Sequence, residues 1–124
     1  MWNYVAVALG GVVGCVARYG VSQLVQLVYA RSFPLATLII NVVGCLLMGF
    51  LFFQTMDRVT ISPALRAALL TGVLGGFTTF STFAMETLLL AEDGETGSAV
   101  MYVVASVLLG LLAAFLGAYL ARSM

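Results

Sequence analysis

The chain has 124 residues, of which 63% are hydrophobic and only 8% charged, with a formal net charge of zero. A water-soluble domain charges roughly a quarter of its residues, so this composition, with a mean hydropathy of +1.15, excludes an ordinary soluble fold and predicts an integral membrane protein. Without any histidine, neither a transition-metal centre, which leans on imidazole, nor an enzyme built on a nucleophile–base pair is expected.

About 20 apolar residues cross a bilayer as a helix. On that ruler the chain is one transmembrane domain, 1–124, with four spans at roughly 3–28, 35–56, 66–91 and 98–121. The first contains WNYVAVALGGVVGCVARYGV and reads as a retained span. It lacks the basic n-region and small-residue cleavage site of a signal peptide. Gly10 and Gly14 form a GxxxG pair that lets another helix approach closely, either within the chain or between subunits. Arg18 lies deep in this span, where a cation is costly unless it faces a vestibule or pairs. Glu86, the only acid inside any span, is the candidate for a structural pair with it. Cys15 and Cys45 sit in separate apolar spans and read as small buried hydrophobes.

Arg31-Ser32-Phe33-Pro34 carries turn signals and closes the first span. The second span holds Asn41 in the middle of LIINVVG, where its amide must find a partner. Its end is marked by Asp57 and Arg58. Ser62-Pro63 suits a helix start, with Ser as N-cap and Pro at the first helical position.

The third span is the unusual one. It reads GVLGGFTTFSTFAMET from Gly72 to Thr87, with Gly75 and Gly76 near the bilayer midplane. Glycine weakens a helix there. The pair either frees backbone that must line a cavity, as in the discontinuous helices of transporters, or lets an intact helix pack closely. At about 100° per residue, Thr79, Thr82 and Glu86 form one stripe with Phe80, Phe83 and Thr87 beside it. Ala84, Met85 and Leu88 take the opposite side. Single hydroxyls in a membrane helix often bond back to their own carbonyls, but sorting hydroxyls, rings and one carboxylate onto one face points to water or an ion.

Glu92-Asp93-Gly94-Glu95 breaks the chain before the last span, on which Tyr102 and Ser106 lie one turn apart and share a face. Ser106, Gly110 and Gly117 leave a small-residue groove. Four spans place both termini on one side. That side carries Arg58, Arg66 and Arg122 against Arg31 on the other, and the chain has no lysine. So small a bias allows either a cytoplasmic N-terminus or insertion both ways as an antiparallel homodimer.

A cation pathway is expected to show carboxylates or rings of acid. Here the polar inventory is hydroxyls, one amide, one Arg and aromatic rings. Hydroxyl and amide hydrogens donate to anions, and a phenylalanine edge carries the positive part of the ring quadrupole. Phe80 and Phe83 can therefore flank an anion edge-on.

Three stretches, GGVVGCVARY at 10–19, TLIINVVG at 37–44 and GGFTTFSTF at 75–83, resemble the signatures of the Fluc/CrcB fluoride channels. The resemblance covers essentially the whole chain. It implies an all-α membrane protein whose third helix is broken near its centre. The assembly it implies is an antiparallel dual-topology homodimer in a prokaryotic cell membrane, with two pores exporting fluoride passively. Carried over by motif, Phe80 and Phe83 face the fluoride ions and Asn41 is the pore asparagine. Ser81 and Thr82 supply hydroxyls, and Tyr102 and Ser106 belong to a polar track on the fourth helix. Arg18 stands in the vestibule, with Glu86 and Thr37 near the pore mouth. Backbone carbonyls of Gly75 and Thr78 from both subunits hold a central structural sodium ion. Ser81 projects off the polar face, which two pores using both sides of the helix would explain. Ala36 before Thr37, Cys45-Leu46 after Gly44, and Gly110 in the track depart from the family pattern. The rival reading from another class is a proton-coupled exporter resembling the small four-helix multidrug transporters. Those need a carboxylate in the first span, where this chain has Arg18. A structural subunit of a larger complex would leave the polar face of the third span unexplained.

Overall fold

A computed structural model describes residues 1–124. The chain is all helical. Helix α1 spans Trp2–Val28 and α2 spans Leu35–Phe53, extended by a wider π-helical turn over Gln54–Arg58. The third span comprises α3 (Pro63–Ala67), a π-helical stretch Ala68–Leu74, and α4 (Gly75–Phe77), followed after a break by α5 (Phe80–Glu92). Helix α6 covers Thr96–Ser123. These elements give four stretches long and apolar enough to cross a membrane, the properties of a multi-pass membrane protein. Ser62 caps α3 as its sequence suggests, with its hydroxyl accepting from the Leu65 N–H at 3.2 Å and Pro63 next in line.

The third span is broken, but not at the glycines. Gly75 is in the right-handed helical region, and the chain leaves the helix at Thr78 (φ −80°, ψ 159°) and Thr79 (φ −152°, ψ 123°). Of the two purposes open to Gly75-Gly76, freeing the backbone is not the one the structure uses. Gly76 serves the other purpose, close packing: a Cβ there would come within 2.8 Å of the Gly11 carbonyl oxygen. Two adjacent β-branched residues give up χ1 freedom in a helix. Thr79 also has other bonds to take instead, while Thr78 keeps its N–H on the Leu74 carbonyl at 3.0 Å as in a helix. Thr78 Oγ1 donates to the Leu74 carbonyl at 3.0 Å, and Thr79 Oγ1 accepts from the Thr82 N–H at 3.3 Å as the N-cap of α5.

Glycines also settle which helices meet. A Cβ at Gly10 would collide with the Ala68 carbonyl, one at Gly14 with the Val73 carbonyl, and one at Gly72 with Val7. The GxxxG pair of α1 therefore packs against the first half of the third span within one chain. Gly117 and Gly49 do the same between α6 and α2, against Leu46 and Ala114. Small residues set these backbones close enough for dispersion contacts, the main attraction available between helices in lipid. The second half of the third span, α5, leaves α1 and lies along α6. The break thus redirects the chain from one helix pair to the other.

Candidate functional site

An open cavity of about 310 Å³ lies beside the break, lined by Asn41, Gly44, Cys45 and Met48 of α2, Thr78 and Thr79 of the break, Phe80 and Phe83 of α5, and Ser106 and Val107 of α6. Asn41 is spent on the break itself. Its Nδ2 donates to the Thr79 carbonyl at 2.9 Å, and its Oδ1 accepts from the Thr79 N–H at 2.9 Å. One side chain thereby satisfies both backbone groups of a residue that has left the helix, as lipid demands. The amide nitrogen carries a second N–H, and Asn41 borders the cavity.

The Ser106 hydroxyl is buried with no hydrogen-bond partner. An orphaned buried hydroxyl costs on the order of 1–3 kcal/mol, and this one belongs to a residue that lines the cavity. Helix α5 begins at Phe80 on the same wall. The first N–H groups of a helix lack intrahelical partners and carry its positive dipole end. No carboxylate and no cationic side chain lines this cavity. Its chemistry suits a small anion stripped of some of its water.

A second cluster sits along α5, away from the break. Glu86 takes a hydroxyl on each carboxylate oxygen: Thr37 Oγ1 donates at 2.7 Å and Tyr102 OH at 2.8 Å. Tyr102 is fully buried and Thr37 only 5% exposed. Rings connect the two clusters. Phe80 and Phe83 have centroids 5.6 Å apart, and Phe83 and Tyr102 are at 5.2 Å.

Asn41, Phe80, Phe83 and Ser106 thus come together around one cavity, and Thr37, Glu86 and Tyr102 around one carboxylate. Thr82 joins the first group indirectly, its hydroxyl accepting from Thr79 Oγ1 at 3.0 Å. Ser81 is exposed and off the cavity. Arg18 is half-buried on α1 and donates to Cys15 Sγ at 3.8 Å. The structural Arg18–Glu86 pair is corrected: Glu86 is satisfied by hydroxyls instead. Thr79 was grouped with Thr82 and Glu86 by helical periodicity, yet it caps a new helix rather than continuing an old one. Sequence reasoning missed Met48 and Val107 as cavity lining, because an apolar residue in a span carries no mark of its surroundings. Cys45 also lines the cavity, with its sulfur 3.5 Å from where a Cβ on Gly110 would stand.

The carbonyls of Gly75 and Thr78 are among those the break sets free. In a continuous helix they would accept from the N–H groups of Thr79 and Thr82, which here go to Asn41 Oδ1 and the Thr79 hydroxyl. Two neutral oxygens without helical donors fit a cation ligand set.

The family model for the CrcB-like protein, Camphor Resistance (CrcB), matches residues 5–118. Curated relatives carry the name fluoride-specific ion channel FluC. The one from Acidithiobacillus ferrooxidans is 53% identical over 117 residues, 94% of each chain. That from Stutzerimonas stutzeri is 48% identical over 94% of each chain, and that from Aquifex aeolicus 42% identical over 96% of each. These relatives are named as channels, not as enzymes. With a family match over nearly its whole length and relatives this similar, the chain belongs to the CrcB-like family.

Proposed function

We propose that this chain is a fluoride-selective channel that lets fluoride leave a prokaryotic cell passively. The observation that carries the reading is the cavity at the break. Unspent donors of Asn41 and Ser106, the start of α5 and the rings of Phe80 and Phe83 converge there without any charged side chain. The names of relatives sharing about half its residues point to the same ion. In this reading Phe80, Phe83, Asn41 and Ser106 contact fluoride, and Ser81, Thr82 and Tyr102 supply further hydroxyls. Arg18 concentrates the anion at a vestibule, with Thr37 and Glu86 near a mouth.

The working unit in this proposal is an antiparallel, dual-topology homodimer with two pores. Phe80 is 81% exposed beside the exposed Ser81 and Thr82. A partner's surface on that face would complete the cavity. The near-balance of arginines on the two sides permits both insertions. A structural sodium ion at the dimer centre would be held by the Gly75 and Thr78 carbonyls of both subunits. It would supply a fixed positive charge and tie the two breaks together. Neutral oxygens suit a monovalent ion better than Mg²⁺ or Ca²⁺, which recruit acids.

Sealed vesicles carrying the purified protein test both parts. Fluoride release should proceed with no proton gradient, and a tag on the C-terminus should be reachable from both faces. Release that appears only with a proton gradient would favour the exporter. A tag reachable from one face alone would overturn the antiparallel dimer.

A further inference from the structure

The Thr37–Glu86–Tyr102 cluster lies just beneath the loop that joins α1 and α2, because Thr37 is one turn from the start of α2 at Leu35. Yet Tyr102 has no exposed surface. Leu38, Phe83 and Phe33 pack over its cluster, and on the loop side the Phe33 ring meets the Tyr102 ring edge-on at 5.6 Å and 80°. Phe33 extends the aromatic row of Phe80, Phe83 and Tyr102 by one ring, from the break to the loop.

Two local features hold Phe33 there. Pro34 has φ −80° and ψ 64°, and the Leu35 N–H donates to the Phe33 carbonyl at 2.8 Å. This is an inverse γ-turn, and a residue before proline is confined to extended backbone. One residue earlier, Ser32 Oγ donates to Glu95 Oε2 at 3.0 Å. That bond ties the covering loop to the turn between α5 and α6. The ring is therefore positioned by a stiff turn and latched across to the neighbouring loop.

We propose that Phe33 is the constriction at the loop-side mouth of the fluoride path, with its ring moving aside for each ion. The inference rests on the channel reading, in which fluoride travels along Phe83 and Tyr102, and adds a residue outside the family motifs. An ion passing the Phe83 and Tyr102 rings toward the loop, beside Glu86 whose carboxylate holds the Thr37 and Tyr102 hydroxyls, meets the Phe33 ring next. Displacing it breaks the contact with Tyr102 and loads the Ser32–Glu95 latch. Passage should then depend inversely on the size of residue 33.

Initial fluoride efflux from vesicles tests this with Phe33→Ala and Phe33→Trp. The alanine variant should conduct about fivefold faster, the effect of taking one aromatic contact out of the barrier, and the tryptophan variant slower than wild type. Alanine slowing the flux, or both variants matching wild type, would overturn the proposal. A readout independent of folding comes from Phe33→Cys with Cys15 and Cys45 replaced by alanine. Attaching a benzyl group to that thiol in the folded protein should slow efflux relative to the same sample before modification, and an unchanged rate would reject the constriction. If the wild-type chain releases no fluoride at all, the channel reading fails instead.

Discussion

Replacing Phe80 with isoleucine should cut fluoride flux by roughly thirtyfold, while the purified protein still elutes as the wild type does. Isoleucine keeps apolar bulk but has no polarised ring edge. A desolvated cation on a ring face gains on the order of 2 kcal/mol from the ring quadrupole, and the same magnitude for fluoride at the positive ring edge converts to about this factor in rate. Phe80 is mostly exposed in the single chain, so its substitution costs the subunit fold little. Phe83→Ile should reduce flux as well, with some added loss of stability because Phe83 also packs on Tyr102. Initial efflux rates together with size-exclusion profiles separate the two effects. Wild-type flux from both variants would mean that the rings only pack.

The second large effect is expected from Asn41→Asp, which should abolish flux. Aspartate retains an acceptor for the Thr79 N–H but cannot donate to the Thr79 carbonyl, so two oxygens with lone pairs would face each other at the break. Its charge would also oppose the passing anion. Two like charges about 4 Å apart at an effective dielectric near 20 repel by about 4 kcal/mol, roughly a thousandfold in rate. Efflux measured on the fraction that elutes as the wild type does decides it. Flux within tenfold of wild type, using that factor as 1.36 kcal/mol, would place Asn41 off the ion path.

Asn41 also shows where sequence reading reaches its limit. Its isolation in an apolar span demanded a partner, and that much was legible. The partner is the backbone of a residue 38 positions away, and backbone partners leave no signature in side-chain order. The four helices and the Ser62-Pro63 start were readable because length, hydropathy and capping act locally. The site of the break was not. Gly75-Gly76 is the stronger local signal, but both glycines stay helical, Gly76 packed on α1, and the chain opens at Thr79, whose N–H and hydroxyl find other partners. A pair between Arg18 and Glu86, the deep cation and the lone acid of the spans, is one of two readings the sequence leaves open. The break sends them to different neighbours, since α1 packs on the half before it and α5 lies along α6. Phe33 counted only as part of a turn, because nothing in Arg31-Ser32-Phe33-Pro34 tells that its ring reaches Tyr102.

Anion selectivity is the centre of this account, and a bi-ionic reversal potential measures it directly. The purified protein is placed in a planar bilayer with fluoride on one side and an equal concentration of chloride on the other. Fluoride is small and strongly hydrated, so a pore must replace its water with close donors, the role proposed for the Ser106 hydroxyl and the Asn41 amide, and larger chloride would fit a narrow track of such donors poorly. The current should therefore reverse only at strong potentials of the sign that holds fluoride back, with no measurable chloride contribution. Reversal near zero would show a pore that does not distinguish the two ions, and would contradict the fluoride channel.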